Sequence, residues 1–136
     1  MLTLEGMRIK IAKLDKLVKH LLSNSSSSSY QAYIATLAQS STGDPIATVL
    51  NSGDANFISG IEPERSGVGD YALVKIGAFP VGKTWIMIGQ GAPTSNLGII
   101  NCYRINDNSI GISFTKFDGT TTDNFVDVAV EIRVYP

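Results

Sequence analysis

Cysteine and histidine are almost missing from this sequence: 136 residues hold one of each, Cys102 and His20. A single cysteine excludes an internal disulfide framework. One Cys and one His cannot assemble a zinc-type ligand set, so neither a metal nor a cofactor is expected. Charge is scarce as well. Only 17% of residues are charged and the net charge is −1, which gives no reason to expect nucleic acid as a partner. No apolar run approaches the ~20 residues that cross a bilayer, so no membrane partner is expected. The apolar residues near the start are interrupted by Arg8 and Lys10, unlike a signal peptide. The expectation is a chain made in the cytoplasm. Hydrophobic residues still reach 43%, enough for an ordinary globular interior.

What is present divides into two parts. Residues 1–22 carry Arg8, Lys10, Lys13, Lys16 and Lys19 against Glu5 and Asp15, net +3, and the remainder is net −4. The joint is SNSSSSS, residues 23–29. Serine runs bury too little apolar area to offset ordering entropy, so this reads as a flexible linker. Asn24-Ser25-Ser26 matches a glycosylation pattern, which carries no weight in a chain without a secretion signal.

Before the joint, Leu4, Met7, Ile11, Leu14, Val18 and Leu21 recur at alternating spacings of three and four. That is a heptad seam, with Leu4, Ile11 and Val18 at a and Met7, Leu14 and Leu21 at d. Such a helix either packs on its own domain, pairs with sister chains or docks on another protein. Isolated helices of this length are marginal in water, so the seam needs a partner, and identical copies are the simplest. β-branched a positions with Leu at d favour two strands, whereas Leu17 at g and Leu22 at e widen the apolar face and suit three. Gly6 weakens the first turn.

After the joint the hydrophobic period becomes two. Val126, Val128, Val130, Ile132 and Val134 alternate with Asp127, Ala129, Glu131, Arg133 and Tyr135, which predicts a strand with one buried face. Further strands are predicted over 30–39, 46–51, 55–60, 70–77, 83–90, 97–105 and 110–117. Turn residues separate them at Gly43-Asp44-Pro45, Gly53-Asp54, Asp107-Asn108 and Asp118-Gly119. About eight strands with no second helix indicate an all-β antiparallel β-sandwich, jelly-roll-like, over 30–136. In KTWIMIGQ, Trp85 and Met87 face one way and Ile86 and Ile88 the other. A strand apolar on both faces is either central in the sandwich or a subunit contact, so Trp85 and Met87 join the six seam residues as candidate oligomerisation residues.

One string points elsewhere. GAFPVGKT, residues 77–84, reads as G-x-x-x-x-G-K-[ST], the phosphate loop of nucleotide hydrolases. That loop must open a helix, whose free amides and dipole hold the phosphates. Here the following residues, WIMIGQGAP, are β-branched and aromatic, then break at Gly89, Gly91 and Pro93. The expectation is a turn set by Pro80 and Gly82, with Lys83 facing water. No nucleophile has a credible base. His20 falls on the outer face of the helix, Cys102 reads as a small buried hydrophobe, and Asp118 and Asp123 lie in an acidic turn, KFDGTTTDNF, whose spacing fits no calcium loop. No enzyme is expected. A sugar-binding surface would draw on exposed aromatics, for which Tyr71, Trp85, Tyr103 and Phe117 are the candidates.

Four stretches in order, YQAYIATLAQSSTGDPIATVLNS, GVGDYALVKIGAFPVGKTWIMIG, RINDNSIGI and VEIRVYP, resemble a β-domain of virion-associated proteins in phages and prophages of Bacteroidetes, including crAss-like phages. The resemblance covers about residues 30–136 and implies a structural role on the particle, as a trimeric head fibre or a capsid or tail appendage. It carries over no functional residues. It implies a homotrimer located in the virion, with phage capsid or tail proteins as partners. The alternative is an adhesion module that binds carbohydrate or another host-surface group, host glycans included.

Overall fold

The computed structural model describes residues 3–24, 29–89, 98–121 and 123–136. The serines at 25–28, the breaks at Gly91 and Pro93, and the first residue of the strand expected over 97–105 lie outside them, as does the side chain of Leu22. Helix α1 spans Leu4–Asn24, two residues into the serine-rich joint. Thr3 caps its start: the Thr3 Oγ1 accepts from the Gly6 amide at 3.1 Å. This satisfies one of the donors that a helix N-terminus leaves unpaired. Glu5 in the first turn adds a favourable charge at the positive end of the helix dipole.

Among the described residues eight strands follow: β1 (Gln31–Gln39), β2 (Ile46–Val49), β3 (Glu62–Gly67), β4 (Asp70–Val74), β5 (Thr84–Gly89), β6 (Gly98–Asn106), β7 (Ser109–Lys116) and β8 (Phe125–Val134). They form two four-stranded sheets in the orders β2-β1-β8-β5 and β3-β4-β7-β6, and every pairing is antiparallel. Alternate residues point inward, as a pleated strand requires. Tyr33, Ala35 and Leu37 of β1 and Val130 and Ile132 of β8 meet Tyr71 and Leu73 of β4 and Ile110 and Ile112 of β7 in one hydrophobic cluster. The arrangement is sandwich-like, mostly β, with one long helix ahead of it.

Four local expectations are corrected. The segment expected as a strand over 55–60 is a single helical turn, α2 (Ala55–Ile58), so a second helical segment exists. Phe57 makes the stretch look strand-like, but the turn buries that ring, and Lys75 holds it there. The Lys75 Nζ donates to the carbonyls of Asn56 at 2.5 Å, Phe57 at 2.7 Å and Ser59 at 2.5 Å. A cation on the last carbonyls of a helical turn meets their partial negative charge. Second, β3 was not expected, because EPERSG contains proline and alternates charges without an apolar face. It is an edge strand, where proline and charge are tolerated and guard against unwanted pairing.

Third, Val126 is exposed and Phe125 is buried in its place. The register between β1 and β8 slips between Leu37 and Gln39, and Asp127 has φ 53°, so β8 holds one extra residue that reverses its alternation. Fourth, β5 is not central. Among the described residues it is the edge of its sheet, hydrogen-bonded to β8, which removes central burial as the reason for its apolar outer face.

Side chains complete the sheet where strands are short. Beyond β2, the Asn51 Oδ1 accepts from the Ile34 amide at 2.8 Å, the Asn51 Nδ2 donates to the Ala32 carbonyl at 2.9 Å, and the Asp54 Oδ2 accepts from the Ala32 amide at 2.9 Å. These two residues stand in for strand backbone along β1, so its polar groups stay paired where β2 has ended.

Candidate functional site

The 77–84 loop is built against the β6–β7 hairpin. The Gly77 amide donates to the Asn108 Oδ1 at 2.8 Å, and the Phe79 amide donates to the Asp107 carbonyl at 2.9 Å. The amides of Ala78 and Lys83 turn back on the Lys75 and Pro80 carbonyls. In return the Arg104 Nε donates to the Phe79 carbonyl at 2.6 Å, and Arg104 is paired with Asp107. Gly77 and Gly82 adopt φ 67° and 74°, a region that side chains with a Cβ resist. Phe79 is driven fully into the core, edge-on to Phe57 at 6.4 Å between ring centroids. The chain then continues as strand β5.

Four of the loop's amides, those of Gly77, Ala78, Phe79 and Lys83, are therefore committed to protein oxygens, and strand β5 rather than a helix follows, so no helix dipole faces the loop. Lys83 is exposed. The expected result of adding Mg-ATP or Mg-GTP at about 5 mM is no change in melting temperature. A rise of several degrees, lost in Lys83→Ala, would revive nucleotide binding.

The other chemistry-bearing residues are scattered. Cys102 is half-buried against the core, and burial pushes its thiol up to about 12, far from a reactive thiolate. His20 is exposed on α1. Asp118 is exposed and closes its own turn, its Oδ1 accepting from the Thr120 amide at 2.9 Å and Oγ1 at 2.6 Å. Asp123 behaves differently from the solvated turn residue expected. It accepts from the Arg65 Nη2 at 2.8 Å and Nε at 3.2 Å, the Tyr71 hydroxyl at 2.5 Å and the Gly69 amide at 3.2 Å. This carboxylate pins the β7–β8 loop to the β3–β4 hairpin. Among the described residues no three His, Cys, Asp or Glu stand close enough to hold a metal, and no helix is long and apolar enough to cross a membrane.

The candidate aromatics do not converge. Tyr71 is buried. Trp85 lies on the outer face of the first sheet and Tyr103 on the outer face of the second, while Phe117 is exposed in the β7–β8 loop.

Two surfaces remain as assembly candidates. On α1, Leu4, Met7, Ile11, Leu14, Val18 and Leu21 are all between 44% and 67% exposed, so the described domain does not cover the ridge. In the β-domain, Trp85 is 41% and Met87 51% exposed. Trp85 pairs across β8 with Arg133, whose guanidinium sits 4.9 Å from the Trp85 ring and 4.7 Å from the Tyr30 ring. The Arg133 Nε also donates to the Glu131 Oε1 at 2.6 Å. Arg133 is thus stacked between two aromatic faces and fixed by a carboxylate, a rigid amphipathic patch. Sequence reading missed Arg133, because its meeting with Trp85 depends on the β5–β8 register. The only signal was its outward phase in the alternating C-terminal strand.

No family model, curated protein or solved structure matches the chain.

Proposed function

We propose that this chain is a structural subunit of a phage particle, a homotrimeric head fibre or capsid or tail appendage. In this reading α1 forms a three-stranded coiled coil through its a/d ridge, and the β-domain, with jelly-roll-like connectivity, projects from that stalk. The observation that carries the reading is the bare ridge. Six large apolar side chains in one seam, left in water, are a strong drive to associate, at about 1.5–3 kcal/mol for each side chain fully buried. A helix of 21 residues with an amphipathic face draws most of its stability from packing that face rather than from its own hydrogen bonds. Trp85, Met87 and Arg133 offer a second contact between neighbouring β-domains.

Light scattering on the full chain is expected to give three times the 14.5 kDa chain mass. Leu14→Lys, which places a charge in the seam, is expected to weaken association by at least about 100-fold in concentration while leaving the β-sheet circular dichroism unchanged. A monomeric wild-type chain at tens of micromolar overturns the coiled coil. Mass spectrometry of intact particles from an induced lysogen carrying the sequence tests the rest: the chain is expected there, and its absence overturns the virion role.

A further inference from the structure

The outer face of the second sheet has an organisation that core packing does not require. Glu64, Ala72, Gly111 and Tyr103 lie in one register row across β3, β4, β7 and β6. The two middle residues are the smallest available, and the Tyr103 ring lies over Gly111. A Cβ on Gly111 would stand 2.7 Å from the ring Cζ and 2.8 Å from Cε2. Glycine thus lets the ring settle on the sheet, and Tyr103 remains 50% exposed. In the next row in phase, Asp70, Ser113 and Asn101 are polar, and Gly67 ends the row on β3. Among the described residues no hydrogen bond or ion pair engages the side chains of Glu64, Asp70, Asn101 or Ser113. Three strands at about 4.8 Å spacing spread that row over roughly 10 Å, beside the ring.

We propose that this face is a saccharide-binding platform centred on Tyr103. A pyranose ring has one face of axial C–H groups, apolar and weakly positive, which matches the negative face of an aromatic ring. Its equatorial hydroxyls leave sideways, and Asp70, Ser113 and Asn101 stand there to accept and donate. A few placed polar groups beside an apolar platform are the usual make-up of a small-ligand site. Glu62, Glu64 and Asp70 share the face, and no Lys or Arg falls in these rows, so the ligand is a neutral glycan rather than a sialylated or sulfated one. The platform belongs to a single chain and does not depend on the assembly proposed above.

A printed array spanning neutral, sialylated and sulfated glycans tests this with the full chain. At least one neutral glycan is expected to be retained, with a single-site Kd on the order of 1 mM. Tyr103→Phe is expected to keep the affinity, and Tyr103→Ala to lower it roughly tenfold. Because Tyr103→Ala also uncovers Gly111, Asn101→Arg serves as the second variant: it fills the polar row without touching the ring, and is expected to abolish binding. Amide chemical shifts are expected to move at Gly111, Ser113 and Tyr103. Failure of every neutral glycan to bind overturns the proposal. So does binding that survives both Asn101→Arg and Tyr103→Ala, or shift changes centred on Trp85. The oligomeric state read by light scattering does not enter this result.

Discussion

Phe79→Ala is expected to remove about 4 kcal/mol of stability, the loss typical of deleting a fully buried ring and leaving a cavity. Set against the roughly 5–15 kcal/mol that holds a domain of this size together, that brings it near the threshold of folding. The ring is fully buried and packs edge-on to Phe57, so the cavity would open where α2, the 77–84 loop and the β6–β7 hairpin converge. Urea unfolding monitored by circular dichroism reads the effect. Phe79→Leu should recover about half of it, since most of the volume returns. Val81→Ser and Lys83→Ala, at exposed positions of the same loop, should leave the midpoint where it is. A Phe79→Ala midpoint within error of wild type would mean that the loop is not anchored as described.

The second large effect concerns acid. The Arg65 guanidinium, foremost, with the Tyr71 hydroxyl and the Gly69 amide, holds the Asp123 carboxyl down to about 2. An unfolded aspartate titrates near 3.9. The folded state therefore keeps its carboxylate charged where the unfolded state has already taken a proton. The stability from this group is fully present above about pH 5 and is lost as pH falls from about 4 to about 2. Asp123→Ala should lower the melting temperature at pH 7 by at least about 5 °C. The gap between variant and wild type should close over that acid window. The mechanism is more than a lost contact, because the partly buried Arg65 guanidinium would lose the carboxylate that accepts from its Nε and Nη2. Were the gap to stay constant down to pH 2, the carboxylate would not be the group that binds the β7–β8 loop.

Elements that depend on local patterning were legible in the sequence. The spacing of three and four from Leu4 to Leu21 marks α1, and the alternation from Val128 to Val134 marks β8, because each period is a property of one element. Elements that depend on partners were not. The strand EPERSG shows no apolar face, since an edge strand with proline is defined by its neighbour β4 and by the sheet it ends. ANFI carries a strand-like composition, yet becomes a helical turn once Lys75, brought in from the end of β4, holds its carbonyls. That a strand rather than a helix follows the phosphate-loop string was readable, because the strand is local information. Its lock on Asp107 and Asn108 was not readable.

The same limit applies to the candidate surfaces. The α1 ridge is visible in a list of letters. The stacking of Arg133 on Trp85 and the seating of Tyr103 on Gly111 come into being only when two strands take one register. A shift of a single residue would send each of those side chains to the opposite face. Asp123 and its partners Arg65, Gly69 and Tyr71 are separated by more than fifty positions and share no motif.

The placement of β8 has a consequence for biosynthesis. It is the last strand among the described residues, yet it lies between β1 and β5 and is hydrogen-bonded to both. While a ribosome is still adding residues before Phe125, the earliest-made strand has only its short hairpin partner, and the first sheet cannot close. A nascent chain stalled at that stage exposes two unsatisfied borders made of Tyr33–Leu37 and Trp85–Ile88, rich in residues that self-stick. Completion of the domain thus waits for translation to pass its final strand, and messages broken before that point yield fragments destined for aggregation or proteolysis.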